Sequence, residues 1–202
     1  MYDTNENTKW TRKGNVVFCK VEDTWGGFSN MAGKYLLCVN GINILTSEAL
    51  YQACRFTGYP DVQELIIHKQ SPMAAKMVGK PYRKTHSRPD WVAVSIDVMR
   101  WCLRVKAAQH KIFRDMLLRT GERQIVEDSH KKDRFWGAVG EDQDGQTNVD
   151  GDTLRGANIL GCLLMELRSE LQNLEAPFNV LPMEIPDFLL YGKEINPVER
   201  VG

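Results

Sequence analysis

A carboxylate, an amide and a guanidinium recur at helical spacing after residue 46. Glu48, Gln52 and Arg55 stand at positions i, i+4 and i+7, so a helix places them in one row. Such a row can bind the diol of a ribose and a phosphate. The same spacing is also typical of a solvated helix face with an ordinary Glu–Arg pair, and the sequence leaves both readings open.

One lysine lies within an apolar helical stripe. Lys106 follows Met99 and Leu103 at the spacing i, i+4, i+7. Either its side chain extends outward so that the ammonium reaches water, or it is buried with a lowered pKa. In the second case its amine is a competent nucleophile.

Two further segments combine aromatic rings with hydrogen-bonding groups. In residues 133–137, Asp133 and Trp136 suit stacking on a base with hydrogen bonds to its edge, although aromatics here can equally cover the core. Ser29 and Asn30 end the glycine-rich turn 26–30. Asn30 can orient a ligand or can simply form an Asx turn.

The elements that must position these residues are mostly helical. A strand is predicted over 16–21, and a hairpin over 34–45 with Asn40-Gly41 as its turn. Residues 123–127 are predicted to be extended, and the glycine-rich segment 137–157 is predicted to be a loop. The predicted helices cover about 47–57, 61–69, 72–78, 95–110, 112–119 and 158–173.

The 202 residues suit one domain with polar ends. Residues 1–15 are expected to be a flexible extension, and residues 16–173 the main folded domain. The tail, 174–202, combines four prolines with large apolar residues, so long helices are excluded there. We expect the tail to pack on the domain or on a partner subunit, in which case it would hold a homo-oligomer together.

Composition excludes several classes of protein. Formal net charge is zero, so nothing predicts a chain-wide grip on nucleic acid or on a membrane surface. The five cysteines are widely spaced and the four histidines scattered, so neither a disulfide framework nor a metal site is expected. Nucleotide-binding glycine loops and metalloprotease motifs are absent, and no cofactor is expected. With no leader and no bilayer-length apolar run, the cytoplasm is the expected compartment.

Taken in chain order, these segments resemble the NADAR (YbiA-like) family over about residues 16–171. In the first half, the residues that carry the resemblance are Gly27-Phe28-Ser29-Asn30, then Glu48, Gln52, Ala53 and Phe56, then Met73-Ala74-Ala75-Lys76 and Gly79, then Asp90-Trp91. In the second half they are Lys106, Gln109 and His110, then Thr120-Gly121, then Asp133, Trp136 and Gly137, and finally Gly156, Asn158, Leu160 and Gly161. Each motif is short, but eight in the right order are hard to produce by chance.

The resemblance implies a mainly α (α+β) fold, a multihelical single domain with a small N-terminal β hairpin or sheet. It also implies an N-glycosidase that hydrolyses a ribose C1′–N bond. Substrates described for the family are phosphorylated ribosylaminouracil intermediates of riboflavin synthesis, and ADP-ribose attached to guanine bases of nucleic acid. We therefore expect a small nucleotide-like substrate or ADP-ribosylated nucleic acid as the partner.

The resemblance also assigns expected roles. Glu48 would stabilise the sugar cation or activate water, and Lys106 would attack C1′ through an imine or contact phosphate. The remaining expected contacts are Asp133 and Asn158 to the ribose or base, Trp136 and Phe28 stacking on the base, and Gln52, Arg55, Asn30 and neighbouring Ser29 to ribose or phosphate oxygens.

Two departures from the family pattern bear on substrate choice. Arg55 stands where the family has a lysine, which keeps the charge but changes the geometry. The segment 138–157 is longer than the usual connection. Two other functions stay open, namely a reader that binds ADP-ribose or a related nucleotide without turnover, and an assembly protein that associates through its tail.

Overall fold

The computed structural model describes residues 3–130, 133–142, 144–148, 150–173 and 178–200. Over these ranges the fold is mixed α+β, as expected from the sequence. The helices are α1 (Ser47–Cys54), α2 (Pro60–Ile67), α3 (Pro72–Val78), α4 (Arg83–His86), α5 (Trp91–Gln109), α6 (Lys111–Leu118) and α7 (Ile159–Gln172). The strands are β1 (Lys9–Thr11), β2 (Val16–Phe18), β3 (Leu37–Val39), β4 (Ile42–Ile44), β5 (Ile125–Glu127), β6 (Val139–Glu141), β7 (Thr153–Arg155), β8 (Leu189–Leu190) and β9 (Lys193–Glu194).

The chain divides into two compact units. The first unit comprises Met1–Ser29 and Ile112–Leu174, and the second comprises Asn30–Lys111 and Glu175–Gly202. Composition gives no sign of these boundaries, because each unit is assembled from segments that are distant in sequence. None of the helices in the ranges given above combines the length and apolar character that crossing a bilayer requires.

Local sequence signals explain most elements of the second unit. Strands β3 and β4 pair antiparallel, and Asn40 and Gly41 turn the chain with φ of 53° and 75°, so the predicted hairpin is confirmed. Thr46 caps α1, because its Oγ1 accepts a hydrogen bond from the Ala49 N–H at 3.1 Å. Ser71 caps α3 in the same way. Helix α1 packs against α2, α3 and α5, which makes it the central element of the unit.

The C-terminal segment packs on the helices of the second unit. Trp101 of α5 donates its indole N–H to the Leu181 carbonyl at 2.9 Å, and the Phe188 ring stands edge-on to it at 5.0 Å. Gln63 of α2 donates to the Leu189 carbonyl at 3.0 Å and accepts from the Tyr191 N–H at 2.7 Å. Strands β8 and β9 form a small hairpin there. The first residues predicted to belong to the tail, 174–177, lie outside the described residues.

The first unit contains more strand than the sequence predicts. Strands β1, β7 and β6 form an antiparallel sheet, and β2 pairs parallel with β5. Residues 137–157 were predicted to be a loop, which is wrong for β6 and β7. Strands of three residues are too short to show a two-residue periodicity, and glycine adds no side chain to reveal it. Position 140 in β6 requires a glycine, because a Cβ there would stand 2.2 Å from the Asn148 carbonyl oxygen.

The N-terminal segment also takes part in this sheet. Residues 9–11, within the predicted flexible extension, form β1 and pair with β7. Trp10 donates its indole N–H to the Gly156 carbonyl at 2.8 Å. Arg12 forms an ion pair with Asp128 at 2.6 Å. These contacts join three distant segments of the first unit.

Candidate active site

Glu48 is buried in the first turn of α1. Only 6% of the residue is exposed, and Gln52 is exposed to 4%, so this row is no solvated helix face. Gln52 donates its Nε2–H to Glu48 Oε1 at 2.9 Å, and Lys76 Nζ lies 3.8 Å from the same oxygen. The Glu48 backbone N–H donates to the Asn30 carbonyl at 3.1 Å. The carboxylate is therefore held in place by an amide and a nearby ammonium.

Lys106 is buried too, so its side chain does not extend to water. It is 1% exposed, and its Nζ lies 4.5 Å from the centroid of the Tyr35 ring. Burial, with a smaller contribution from the like charge of Lys34, lowers the pKa of Lys106 from 10.5 to about 7. Near neutral pH a large fraction of this amine is consequently unprotonated, which is the form that can attack an electrophile.

One face of α5 connects the surroundings of Glu48 with Lys106. Met99, Cys102 and Lys106 follow one another at i, i+3 and i+7 along that face. Asn30 donates its Nδ2–H to Met99 Sδ at 3.1 Å. Burial, a hydrogen bond with Cys54 and the nearby Glu48 carboxylate raise the pKa of the Cys102 thiol well above its ordinary value. Lys106 lies about one turn beyond Cys102 on the same face of the helix.

Two guanidinium groups flank the far end of the α1 row. Arg55 donates its Nε–H to Ser87 Oγ at 2.7 Å and lies over the Trp91 ring at 5.1 Å. Arg83 of α4 donates its Nη2–H to Gln52 Oε1 at 3.2 Å. Burial and the neighbouring Arg83 charge lower the pKa of Arg55. Cations therefore outnumber carboxylates beside α1.

Sequence reasoning gave no role to two of the residues that border this row. Arg83 stands 31 positions from Gln52, so no helical spacing relates the two. Lys76 lies on a different helix from Glu48, and only packing of α3 on α1 brings their charges together. The resemblance covers the segment that contains Lys76, which is the one available hint.

Two of the predicted site residues in the first unit, Asp133 and Asn158, form side-chain hydrogen bonds with its backbone. Asp133 Oδ1 accepts hydrogen bonds from the backbone N–H groups of Phe135 and Trp136 at 3.0 and 2.8 Å, which is an Asx-type turn. The Trp136 indole is partly buried and stands edge-on to Phe135. Asn158 is fully buried in a left-handed conformation with φ of 52°. Its side-chain amide forms two hydrogen bonds with the backbone of β5. It accepts from the Glu127 N–H at 3.0 Å and donates to the Ile125 carbonyl at 2.9 Å.

Phe28 and Ser29 end the first segment of the first unit. Phe28 is fully buried, stacked on Trp25 at 5.7 Å and edge-on to Phe18 and Phe113. Ser29 is 5% exposed, and its backbone N–H donates to the Gly26 carbonyl. The packing of Phe28 accounts for the ring without any ligand, and its stacking on a base stays a prediction.

The structure thus distributes the predicted residues over both units. Those that belong to the second unit are Asn30, Glu48, Gln52, Arg55 and Lys106, and those that belong to the first are Phe28, Ser29, Asp133, Trp136 and Asn158. Among the residues that the structure describes, no three potential metal ligands of the His, Cys, Asp or Glu type cluster together.

Comparison with known proteins identifies the family. The model of the NADAR domain matches residues 17–172, so the chain belongs to the NADAR domain family. The N-glycosidase YbiA of Escherichia coli (strain K12) is 36% identical over 156 residues, which cover 77% of this chain and 88% of that protein. An N-glycosidase of Nostoc punctiforme is 32% identical over 166 residues, covering 79% of this chain and 94% of that protein.

Two further comparisons extend this result. The NMR structure of the E. coli protein YbiA matches with a TM-score of 0.63 and 31% identity, covering 86% of this chain and 96% of that one. The α+β fold expected from the resemblance is thereby confirmed. A riboflavin biosynthesis protein of Vibrio vulnificus is 32% identical over 185 residues, covering 88% of this chain and 46% of that protein.

Proposed function

We propose that this protein is an N-glycosidase that hydrolyses the bond between a ribose C1′ and a base or amine nitrogen of a nucleotide-like substrate. The observation that carries the proposal is the burial of an amine with a pKa of about 7, Lys106, on the helix that packs against the one bearing the buried carboxylate Glu48. The relatives named N-glycosidase support the reaction class.

Glu48 has the chemistry to act on the sugar. Cleavage of a ribose C1′–N bond builds positive charge on the ring, and a fixed carboxylate in a site of low dielectric stabilises that charge strongly. The hydrogen bond from Gln52 holds the carboxylate in one orientation, so little reorganisation is needed at the moment of reaction. The same carboxylate can instead orient a water molecule for attack on C1′.

Lys106 offers a covalent route. Its unprotonated amine attacks C1′, the C1′–N bond to the base breaks, and the base nitrogen takes up a proton. Opening of the sugar ring then gives an imine between C1′ and Nζ, and water hydrolyses this imine to release the sugar and restore the amine. A pKa of about 7 keeps the amine available for this attack near neutral pH.

Two variants test the reaction against matched controls. Glu48→Gln and Lys106→Ala are each incubated with ADP-ribosylated guanine DNA and, separately, with the phosphorylated ribosylaminouracil, and the products are followed by mass. Glu64→Gln and Lys84→Ala, both at exposed positions, serve as controls and should keep full activity. Full activity of both site variants, with the fold intact, would contradict the proposed roles of Glu48 and Lys106. Binding by the wild type without any turnover would favour the nucleotide reader instead.

Borohydride distinguishes the covalent route from direct attack by water. Reduction during turnover should trap the sugar on the protein, with a mass increase that Lys106→Ala lacks. If turnover proceeds and no adduct forms, Glu48-assisted attack by water is the route.

A further inference from the structure

Arg55 and Arg83 form a pair of like charges beside α1. The Arg83 charge contributes to lowering the pKa of Arg55, so the two guanidinium groups lie within electrostatic range of each other. Both are partly buried, which weakens the screening by solvent that makes such pairs tolerable on a surface. Repulsion between the two guanidinium groups lowers the stability of the folded protein unless an anion binds beside them.

The hydrogen bonds of the pair leave a donor available. Ser87 links the Arg55 side chain to the Arg83 backbone, because its Oγ accepts from Arg55 Nε–H at 2.7 Å and donates to the backbone carbonyl of Arg83 at 2.7 Å. Arg83 Nη2 reaches Gln52 at 3.2 Å, a long contact. The Nε–H of Arg83 is buried without a hydrogen-bond partner among the residues that the structure describes. An unsatisfied charged donor of this kind is expensive unless a ligand completes it.

The nearby carboxylates are already engaged. Glu48 is held by Gln52 and by Lys76. Asp90 accepts two hydrogen bonds from Arg88, at 2.5 and 3.0 Å. The surplus of positive charge beside α1 therefore suits a group that carries about two negative charges, which is the charge of a phosphomonoester near neutral pH.

The position of the pair relative to Glu48 fits a sugar phosphate. Arg83 bonds Gln52, which lies one helical turn, about 5.4 Å, beyond Glu48 along α1. In a ribose 5-phosphate, the ring and one carbon separate C1′ from the phosphate, a comparable span. Ser87, the hydrogen-bond partner of Arg55, also lines a cavity of about 650 Å³.

We propose that Arg83 and Arg55 form a phosphate-binding subsite that takes the 5′-phosphomonoester of the substrate while Glu48 faces the sugar. The subsite rests on the proposed function for its role in turnover, but not for the binding itself. Arg83 is then a determinant of specificity for phosphorylated over unphosphorylated ribosides. Guanidinium groups suit this task, because their planar donors match phosphate oxygens in pairs.

Calorimetric titration with ribose 5-phosphate, ribose and inorganic phosphate tests the subsite without turnover. The wild type should bind ribose 5-phosphate at least roughly tenfold more tightly than ribose, and inorganic phosphate should compete. Arg83→Gln should abolish this preference, whereas Lys84→Gln, which removes an exposed charge at the next residue, should retain it. Equal binding of the two sugars by the wild type, or an unchanged preference in Arg83→Gln, overturns the proposal.

Two further arms keep the test decisive. If Arg83→Gln fails to fold, Arg83→Lys keeps the charge without the planar fork, and it should weaken ribose 5-phosphate binding while a preference over ribose remains. Undiminished binding by a folded Arg83→Lys protein counts against the guanidinium contact. The proposed subsite and the proposed enzymatic function can be contradicted by different results. Phosphate-dependent binding without hydrolysis would contradict the proposed N-glycosidase function. Hydrolysis at a rate that depends neither on the substrate phosphate nor on Arg83→Gln would contradict the subsite alone.

Discussion

Replacing Lys106 by methionine is expected to stabilise the protein near neutral pH and, at the same time, to abolish hydrolysis. Methionine fills a similar volume with an unbranched apolar chain, so it suits the buried position. The lysine, in contrast, must either carry its charge in a site of low dielectric or give up a proton on folding. An enzyme that keeps such a residue gives up stability for reactivity.

The size of this effect follows from the pKa. Burial lowers the pKa of Lys106 from 10.5 to about 7, and each tenfold step in the protonation equilibrium is worth about 1.4 kcal/mol. The charged form is therefore disfavoured in the folded protein by about 5 kcal/mol. Between pH 7 and 10.5 the unfolded chain binds the proton that the folded protein has released, so the penalty falls by about 1.4 kcal/mol per pH unit as pH rises.

Denaturant titration of the wild type and of Lys106→Met at several pH values measures this penalty. We expect the variant to be more stable by several kcal/mol at about pH 6, with the difference shrinking toward zero near the unfolded pKa of 10.5. Lys84→Met, at an exposed position, should show no such dependence. If Lys106→Met is equally or less stable than the wild type at every pH, the ammonium is not desolvated and the argument for a reactive amine is refuted.

Three further predictions concern other parts of the molecule. Gly161→Ala would place a carbon 2.1 Å from a backbone oxygen of β5, so calorimetric melting should show a large loss of stability that Gly33→Ala, with 3.9 Å to its nearest neighbour, does not share. Asn158→Ala should lower the free energy of unfolding by about 2–4 kcal/mol, since it removes two buried hydrogen bonds to β5. Burial acts to raise the pKa of Glu141, but hydrogen bonds from Arg155 and a second arginine outweigh it, and the pKa is lowered from 4.5. The stabilisation by this carboxylate is thus present above pH 4.5 and lost as pH falls further, so urea titrations of Glu141→Gln and the wild type should converge in acid.

Local rules predicted the hairpin and, within the described residues, every helix except the short α4. Capping by Thr46 and Ser71, and the Asn40-Gly41 turn, depend on groups within a few residues of one another, so they can be read along the chain. The strands β6 and β7 escaped prediction because they depend on pairing with each other and with residues 9–11, which no short-range pattern encodes.

The candidate site divides in the same way. The spacing of Glu48, Gln52 and Arg55 was sufficient to place them in one row, yet it could not distinguish a buried row from a solvated one. Arg83 was missed because its contact with Gln52 spans 31 positions. The motif that contains Asn158 was identified, but its amide proves to bind the backbone of β5 on both sides.

The sequence by itself determined the family, the reaction class expected from it and the residue types available for chemistry, because these depend on order and spacing along the chain. Only the tertiary structure decided which of those residues are buried. Desolvation of the Lys106 amine and the proximity of two guanidinium charges are properties of packing, and the electrostatic free energy of a charge depends on what surrounds it in space rather than on what precedes it in the chain.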